Sequence, residues 1–278
     1  MDARAYAIGL LKTALARSMR HRLGFKLTRL VAEEHQLFST SKIAASCAPA
    51  VARRLGDTVL RGPFRGLQYP ETRRASSDRL RKLLGAYEAE LHPVLEEVCR
   101  RPRQTVINIG AAEGYYAVGL ARRLPDATVY AFERDPAAVA ALVHLARLNG
   151  AAERVLIRGC CTREALARCP MSPGTFVVSD CKGCEYDVLQ PAVIPALLFC
   201  DFLIELHRRR DLSPRQHFSA LFAKTHRLEF IEVQRHGPNA YPELAGCSTE
   251  EREALLFERT DRNGWAYLRR ATETGGCD

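Results

Sequence analysis

The sequence predicts a Rossmann-like, doubly wound α/β fold: a mostly parallel, seven-stranded sheet preceded by a mainly helical N-terminal extension. Three observations carry that expectation. From Thr105 onward, short β-branched or aromatic runs alternate with helical stretches, the pattern of βα units feeding one parallel sheet. The first run ends in a glycine turn, Asn108-Ile109-Gly110-Ala111-Ala112-Glu113-Gly114, that leads into a helix. The 278 residues, 47% hydrophobic, suffice for one sizeable core with an appendage.

Taken in order, the strands are expected at Thr105–Ile109, Ala127–Phe132, Arg154–Arg158, Thr175–Asp180, Asp201–Leu206 and Leu228–Arg235. A seventh, Trp265–Arg269, follows a long loop. The helix opening at Gly114 ends at Pro125. Asp135 caps the next helix with Pro136 at its first position, where a missing N–H costs nothing. Val139, Leu142, Val143 and Ala146 form its apolar face, and Asn149-Gly150 ends it. Ser213-Pro214-Arg215-Gln216 reads as a capping-box start for a helix that turns Phe218, Leu221 and Phe222 inward. Residues 1–90 are helical in pattern but weakly punctuated, so the chain divides into an extension or cap at 1–90 and a main domain at 91–278.

Composition narrows the class. No apolar run reaches the roughly 18 residues a membrane span needs. Ten cysteines are scattered through the predicted strands and helices, which fits reduced thiols and a cytoplasmic protein rather than a disulfide framework. The net charge of +9 is uneven, because residues 1–30 carry seven Lys and Arg against the single acid Asp2. Such an arm suits a solvated amphipathic helix, a phosphate-rich or anionic lipid surface, or a cleaved basic targeting peptide.

The glycine turn selects the cofactor. A dinucleotide fingerprint requires a second glycine for close approach of the pyrophosphate, and here that position is Ala112. Beside the helix start stands Glu113, whose carboxylate repels an anion at short range. S-adenosylmethionine carries no phosphate, and its sulfonium and ammonium are cationic, so the acidic turn suits it. Glu133 closes the second strand 19 residues beyond Gly114, a spacing at which a carboxylate accepts both ribose hydroxyls. The expected cofactor contacts are Asn108, Gly110, Ala111, Ala112, Glu113, Gly114, Tyr116, Glu133, Arg134 and Cys161.

The fourth and fifth strands end in Asp180 and in Glu205-Leu206-His207, at the same edge of the sheet. Methyl transfer to a hydroxyl requires alignment, exclusion of water and removal of one proton. His207 is a candidate general base, with Asp180 or Glu205 orienting it or taking the proton directly. The alternatives are a strand-end histidine bonded to backbone and an Asp180 that only caps a helix. Cys181-x-x-Cys184 reads by default as two packed thiols. A redox pair or a zinc site completed by Cys160 and Cys161 are the other options, and no resident metal is expected.

With these motifs in view, the run from about Leu84 to Leu206 resembles the FkbM-type methyltransferases. The likeness rests on Val106-Ile107-Asn108-Ile109-Gly110-Ala111-Ala112-Glu113-Gly114-Tyr115-Tyr116, on Phe132-Glu133-Arg134-Asp135-Pro136, and on Asp180-Cys181-Lys182-Gly183-Cys184-Glu185. The resemblance implies a class I methyltransferase fold with an antiparallel final strand, and O-methylation of a small-molecule or glycan hydroxyl. Two positions depart from the family pattern. Asn108 stands where a carboxylate usually meets the methionine ammonium, and Lys182 stands where Glu is common.

Two further functions remain on the sequence alone. The basic arm and the Arg/Lys-rich residues 51–84 motivate RNA methylation. Against it, the chain lacks an Asn/Asp-Pro-Pro-Tyr/Phe loop, and no proline precedes Cys181. Asn108 and Lys182 motivate a catalytically inactive cofactor-binding module.

Overall fold

A computed structural model describes residues 40–70, 78–234, 237–257 and 264–271. The basic arm, Arg235 and its neighbour His236 lie outside the described residues. Helix α1 runs through residues 40–55, and α2 (Asp78–Leu84) and α3 (His92–Arg100) follow. Then come β1 (Thr105–Ile109), α4 (Tyr115–Arg123), β2 (Thr128–Phe132), α5 (Pro136–Leu148), β3 (Val155–Arg158), α6 (Arg163–Ala167), β4 (Phe176–Ser179) and α7 (Glu185–Val188). The chain continues with β5 (Asp201–Glu205), α8 (Pro214–Phe222), β6 (His226–Ile231), α9 (Thr249–Leu256) and β7 (Trp265–Arg270).

The seven strands form one sheet in the order β3-β2-β1-β4-β5-β7-β6. β1 to β5 are parallel, and β7 pairs antiparallel with both β5 and β6. This is the doubly wound sheet expected from the sequence, with the antiparallel last strand that the family resemblance implied. Strand order reverses between β1 and β4, where such sheets open a crevice at their carboxyl ends.

Both faces of the sheet are apolar, so its central strands are hydrophobic in consecutive positions. Val106, Val178 and Leu203 face one core cluster with the helices α3 and α4, whereas Ile107, Val177 and Phe202 face the other with Phe218 and Phe222 of α8. The first cluster also takes Val51, Phe64, Leu67, Leu80 and Leu83, so the described part of the N-terminal stretch packs into the same core as the sheet. That stretch is not helical throughout. Between α1 and α2 the chain makes an antiparallel bridge from Thr58 to Gln68.

Several local expectations require correction. The inward line of α5 is Leu142, Leu145 and Ala146, with Val139 and Val143 half-buried. β6 starts two residues earlier than expected and stops at Ile231. Its extent is set by β7, which pairs Ile231 with Trp265, and Gly264 turns the chain away there in a left-handed conformation. The long loop before β7 contains α9, whose start is a full capping box between Ser248 and Glu251. Only half of the expected box forms at α8, where Ser213 accepts from the Gln216 N–H. Asp135 caps α5 as predicted, accepting from the Ala137 N–H at 2.9 Å. Among the described residues no helix is long and apolar enough to cross a membrane.

Candidate active site

Register assembles the site. Phe132 pairs with Ile109, Ile109 with Ser179, and Ser179 with Ile204. Glu133, Gly110 and Asp180, each just past its strand, and Glu205, the last residue of β5, therefore stand in a row along the carboxyl edge. Four positions spread over 96 residues of sequence meet because parallel strands in register end together.

The glycine turn is held from β2. The Gly110 and Ala111 N–H groups both donate to the Phe132 carbonyl, at 3.0 and 2.9 Å. Gly110, Ala112 and Gly114 all adopt left-handed backbone, the alanine at φ 47°. Glu133 holds that strained alanine, its Oε2 accepting from the Ala112 N–H at 2.9 Å while Oε1 accepts from the Arg134 and Asp135 N–H groups at 2.8 Å. Gly110 has no substitute, because a Cβ there would lie 2.0 Å from the Asp180 carbonyl oxygen. The turn thus brings bare backbone against the end of β4.

Asn108 is buried at the end of β1, between Ala131 and Val178 in register, and its Oδ1 has no hydrogen-bond partner among the described residues. An orphaned amide oxygen beside this turn is an acceptor waiting for a donor. It fits an ammonium group, which offers three N–H donors.

Two expected cofactor contacts are engaged elsewhere. Glu113 accepts from Lys82 of α2 and from the Tyr69 hydroxyl. Burial works to raise its carboxyl, but the Lys82 charge and these hydrogen bonds hold it below the usual carboxylate range. Lys82 itself lies over the rings of Tyr87, Tyr115 and Tyr69 at 4.6, 5.3 and 5.7 Å, a buried cation with aromatic faces and one carboxylate for company. Tyr116 donates to Glu88 and packs edge-on to Phe64 at 6.0 Å. Both side chains bind the N-terminal stretch to the turn. Arg134 is exposed, and Cys161 is a half-buried thiol that burial pushes up to about 12.

Asp180, Glu205 and His207 do come together. His207 Nε2 lies 3.1 Å from Glu205 Oε2 and 3.5 Å from Asp180 Oδ1, although neither contact is aligned as a hydrogen bond. Its Nδ1 is 2.8 Å from Oε1 of Glu185, a carboxylate fully removed from solvent. Lys182, at φ 59°, carries its Nζ to 2.9 Å from Asp180 and 3.4 Å from Glu205. The alternative of a capping Asp180 is excluded, since Cys184 occupies the position before α7.

This grouping of three carboxylates and two cations moves the protonation states. Burial pulls His207 down, but the hydrogen bond with Glu185 and the charges of Glu205 and Glu185 prevail and lift it to about 9. Burial, then the neighbouring Glu205, pushes Asp180 up to about 7, against the pull of Lys182. The surrounding carboxylates thus favour the imidazolium of His207, and burial beside Glu205 favours the neutral acid of Asp180. Asp180, Glu205 and His207 each bring one ligand-type atom within 4.8 Å of the others, a geometry that also suits a cation, and Lys182 Nζ is the cation the chain supplies itself.

The cysteine pair overturns its default reading: Cys181 and Cys184 form a disulfide rather than two packed thiols. Their sulfurs are bonded to each other and so unavailable as thiolate donors, while Cys160 and Cys161 are free. In the sequence nothing marks Glu185 as a partner of His207, or Lys82 and Tyr69 as partners of Glu113. A carboxylate four residues after a cysteine on a short helix carried no signal, and Lys82 lies 31 residues from its partner.

No protein-family model matches the chain, and no curated protein matches it in sequence. Among solved structures, the chain is similar to the O-methyltransferase TomG from Streptomyces achromogenes, described as involved in tomaymycin synthesis and in complex with SAM. That likeness has 14% identity, covers 64% of this chain and 77% of the other, and has a TM-score of 0.45. An O-methyltransferase from Bacillus cereus in complex with SAH matches at 12% identity over 64% of this chain and 78% of the other, with a TM-score of 0.44. The C-terminal domain of precorrin-6Y C5,15-methyltransferase from Rhodobacter capsulatus matches at 12% identity over 65% of this chain and 87% of the other, with a TM-score of 0.44.

Proposed function

We propose that this chain is an S-adenosylmethionine-dependent methyltransferase that methylates a hydroxyl of a small molecule or glycan. One observation carries the proposal: a left-handed glycine turn, tied to Glu133 and flanked by the orphaned Asn108 oxygen, ends beside the Asp180–Glu205–His207 cluster. In this reading residues 91–278 are the reacting domain and residues 1–90 an extension, whose described Lys82, Tyr69 and Glu88 brace the turn and the helix after it.

When bound, S-adenosylmethionine supplies an electrophilic methyl group. The chain's own groups hold it and manage the proton. Asn108 Oδ1 would accept from its ammonium, the backbone of Gly110, Ala111, Ala112 and Gly114 would line its approach, and Glu133, while bracing the Ala112 amide, would offer its carboxylate to the ribose hydroxyls. Asp180, whose carboxyl burial and Glu205 push up to about 7, takes the acceptor proton. His207 holds Glu205 and Asp180 in place as an imidazolium instead of acting as the base. Lys182 keeps part of Asp180 ionised. The chain's remaining task would be to align the acceptor and exclude water.

The test is calorimetric titration with S-adenosylhomocysteine, followed by incubation with labelled S-adenosylmethionine and fractionated cell extract. We expect saturable binding that falls at least ~10-fold in Glu133→Ala, and label in a small-molecule or glycan fraction. Absence of binding to the wild-type chain at millimolar ligand rejects the proposal. Label in RNA redirects the acceptor, and binding without any labelled product identifies a cofactor-binding module.

A further inference from the structure

We propose that Cys181 and Cys184 are a reversible dithiol/disulfide site, opened by a dithiol reductant, whose state the reaction cluster reads through Glu185. The location argues for it. The bonded pair encloses Lys182 and Gly183, both in left-handed backbone, and lies between Asp180 and Glu185. It is not part of a framework, since the other seven described cysteines are free. A ring of four residues restrains the unfolded chain least, so the bond contributes little to global stability. Both cysteines are half-buried, within reach of a small reductant.

The coupling is atomic. Cys181 Sγ lies 3.0 Å from Glu185 Oε2, and the other oxygen of that carboxylate faces His207 Nδ1 at 2.8 Å. In the disulfide the sulfur has no proton to offer, and Oε2 accepts from the Gly183 N–H at 3.0 Å. In the reduced state the Cys181 thiol donates to Oε2 and draws charge away from His207. Opening the ring also frees Lys182 from its left-handed backbone and loosens its hold on Asp180 and Glu205. His207 is faced by Asp180, Glu185 and Glu205, with Lys182 across from it, so the loop alters its surroundings on two sides.

The chemistry balances as ordinary exchange. A thiolate of the dithiol attacks one sulfur, the Cys–Cys bond breaks, and the departing thiolate takes a proton. The second thiol of the reductant then attacks the mixed disulfide, releasing the other cysteine, which is protonated in turn. Two electrons pass from the dithiol to the pair, and the dithiol leaves as its disulfide. The exchange stands apart from methyl transfer, whereas its effect on turnover rests on the proposed function.

The full chain would be equilibrated in mixtures of reduced and oxidised dithiothreitol, quenched in acid and alkylated, and the peptide spanning residues 181–184 weighed. In parallel, the His207 imidazole would be titrated by NMR in the oxidised and reduced protein. We expect two alkyl groups to appear only as the reduced dithiol predominates, to be lost on return to the oxidised form, and the His207 midpoint to fall by at least ~0.5 pH unit on reduction. Cys184→Ser should show one fixed midpoint in both mixtures. Full alkylation in oxidised dithiol, or a bond that resists excess reduced dithiol in the folded protein, overturns the site. An unmoved His207 midpoint overturns the coupling. None of these readings requires the cofactor, so a failed methyltransferase assay leaves them intact. With an acceptor in hand, turnover should differ at least ~3-fold between the two states in wild type and not in Cys184→Ser.

Discussion

Nδ1 of His207 is fixed 2.8 Å from Oε1 of Glu185, a carboxylate without solvent exposure, and this contact decides what the histidine is able to do. A buried anion against one ring nitrogen, with Glu205 and Asp180 near the other, keeps the imidazole charged at neutral pH. On the proposed function, the base role that sequence suggested for His207 falls to Asp180.

Replacing Glu185 with Gln removes the charge and keeps the shape. The His207 midpoint should fall from about 9 toward its ordinary 6.5. NMR titration of the imidazole would read this directly, and a midpoint that stays near 9 would assign the shift to Glu205 alone.

If Asp180 takes the acceptor proton, kcat/KM should rise as pH passes through about 7 and decline above about 9 as His207 loses its proton. Asp180→Asn should lower turnover by ~10²–10⁴ while leaving S-adenosylhomocysteine affinity within a few-fold. His207→Gln should keep the limb near 7 and lose the one near 9. A profile lacking the lower limb would remove Asp180 from the role.

Stability should decline with rising pH above neutrality. The folded-state midpoint of His207 lies above its unfolded value of 6.5, so its contribution is complete below 6.5 and is lost as pH rises through about 9. Asp180 acts in the same direction between its ordinary 3.8 and about 7. Urea denaturation at successive pH values should show a fall on the order of 2–3 kcal/mol between pH 6.5 and 9, largely absent from His207→Gln. A flat dependence in wild type would contradict the burial of this pair.

Gly110→Ala should cost at least ~2 kcal/mol, because the left-handed backbone and a Cβ 2.0 Å from the Asp180 carbonyl cannot both be accommodated. Thermal unfolding would register the loss, and nucleoside binding should vanish with it. Gly150→Ala shares the positive φ but meets nothing within 4 Å, so it should cost only the backbone strain and leave binding unchanged.

Periodicity and punctuation alone determined the seven strands, the caps at Asp135 and Ser213, and the row of strand ends where Gly110, Glu133, Asp180 and Glu205 meet. Those features follow from local propensity and from the rule that parallel strands end at one edge, and both are written in consecutive residues. The capping box Ser248-Glu251 is an equally local signal. What only the tertiary structure decided were the partners. Glu113 answers Lys82 across 31 residues, Tyr116 answers Glu88, and Glu185 faces Nδ1 of His207. The closure of Cys181 onto Cys184 belongs here too. A charge's effect depends on burial and on neighbours a few ångströms away, and neither is a property of position along the chain.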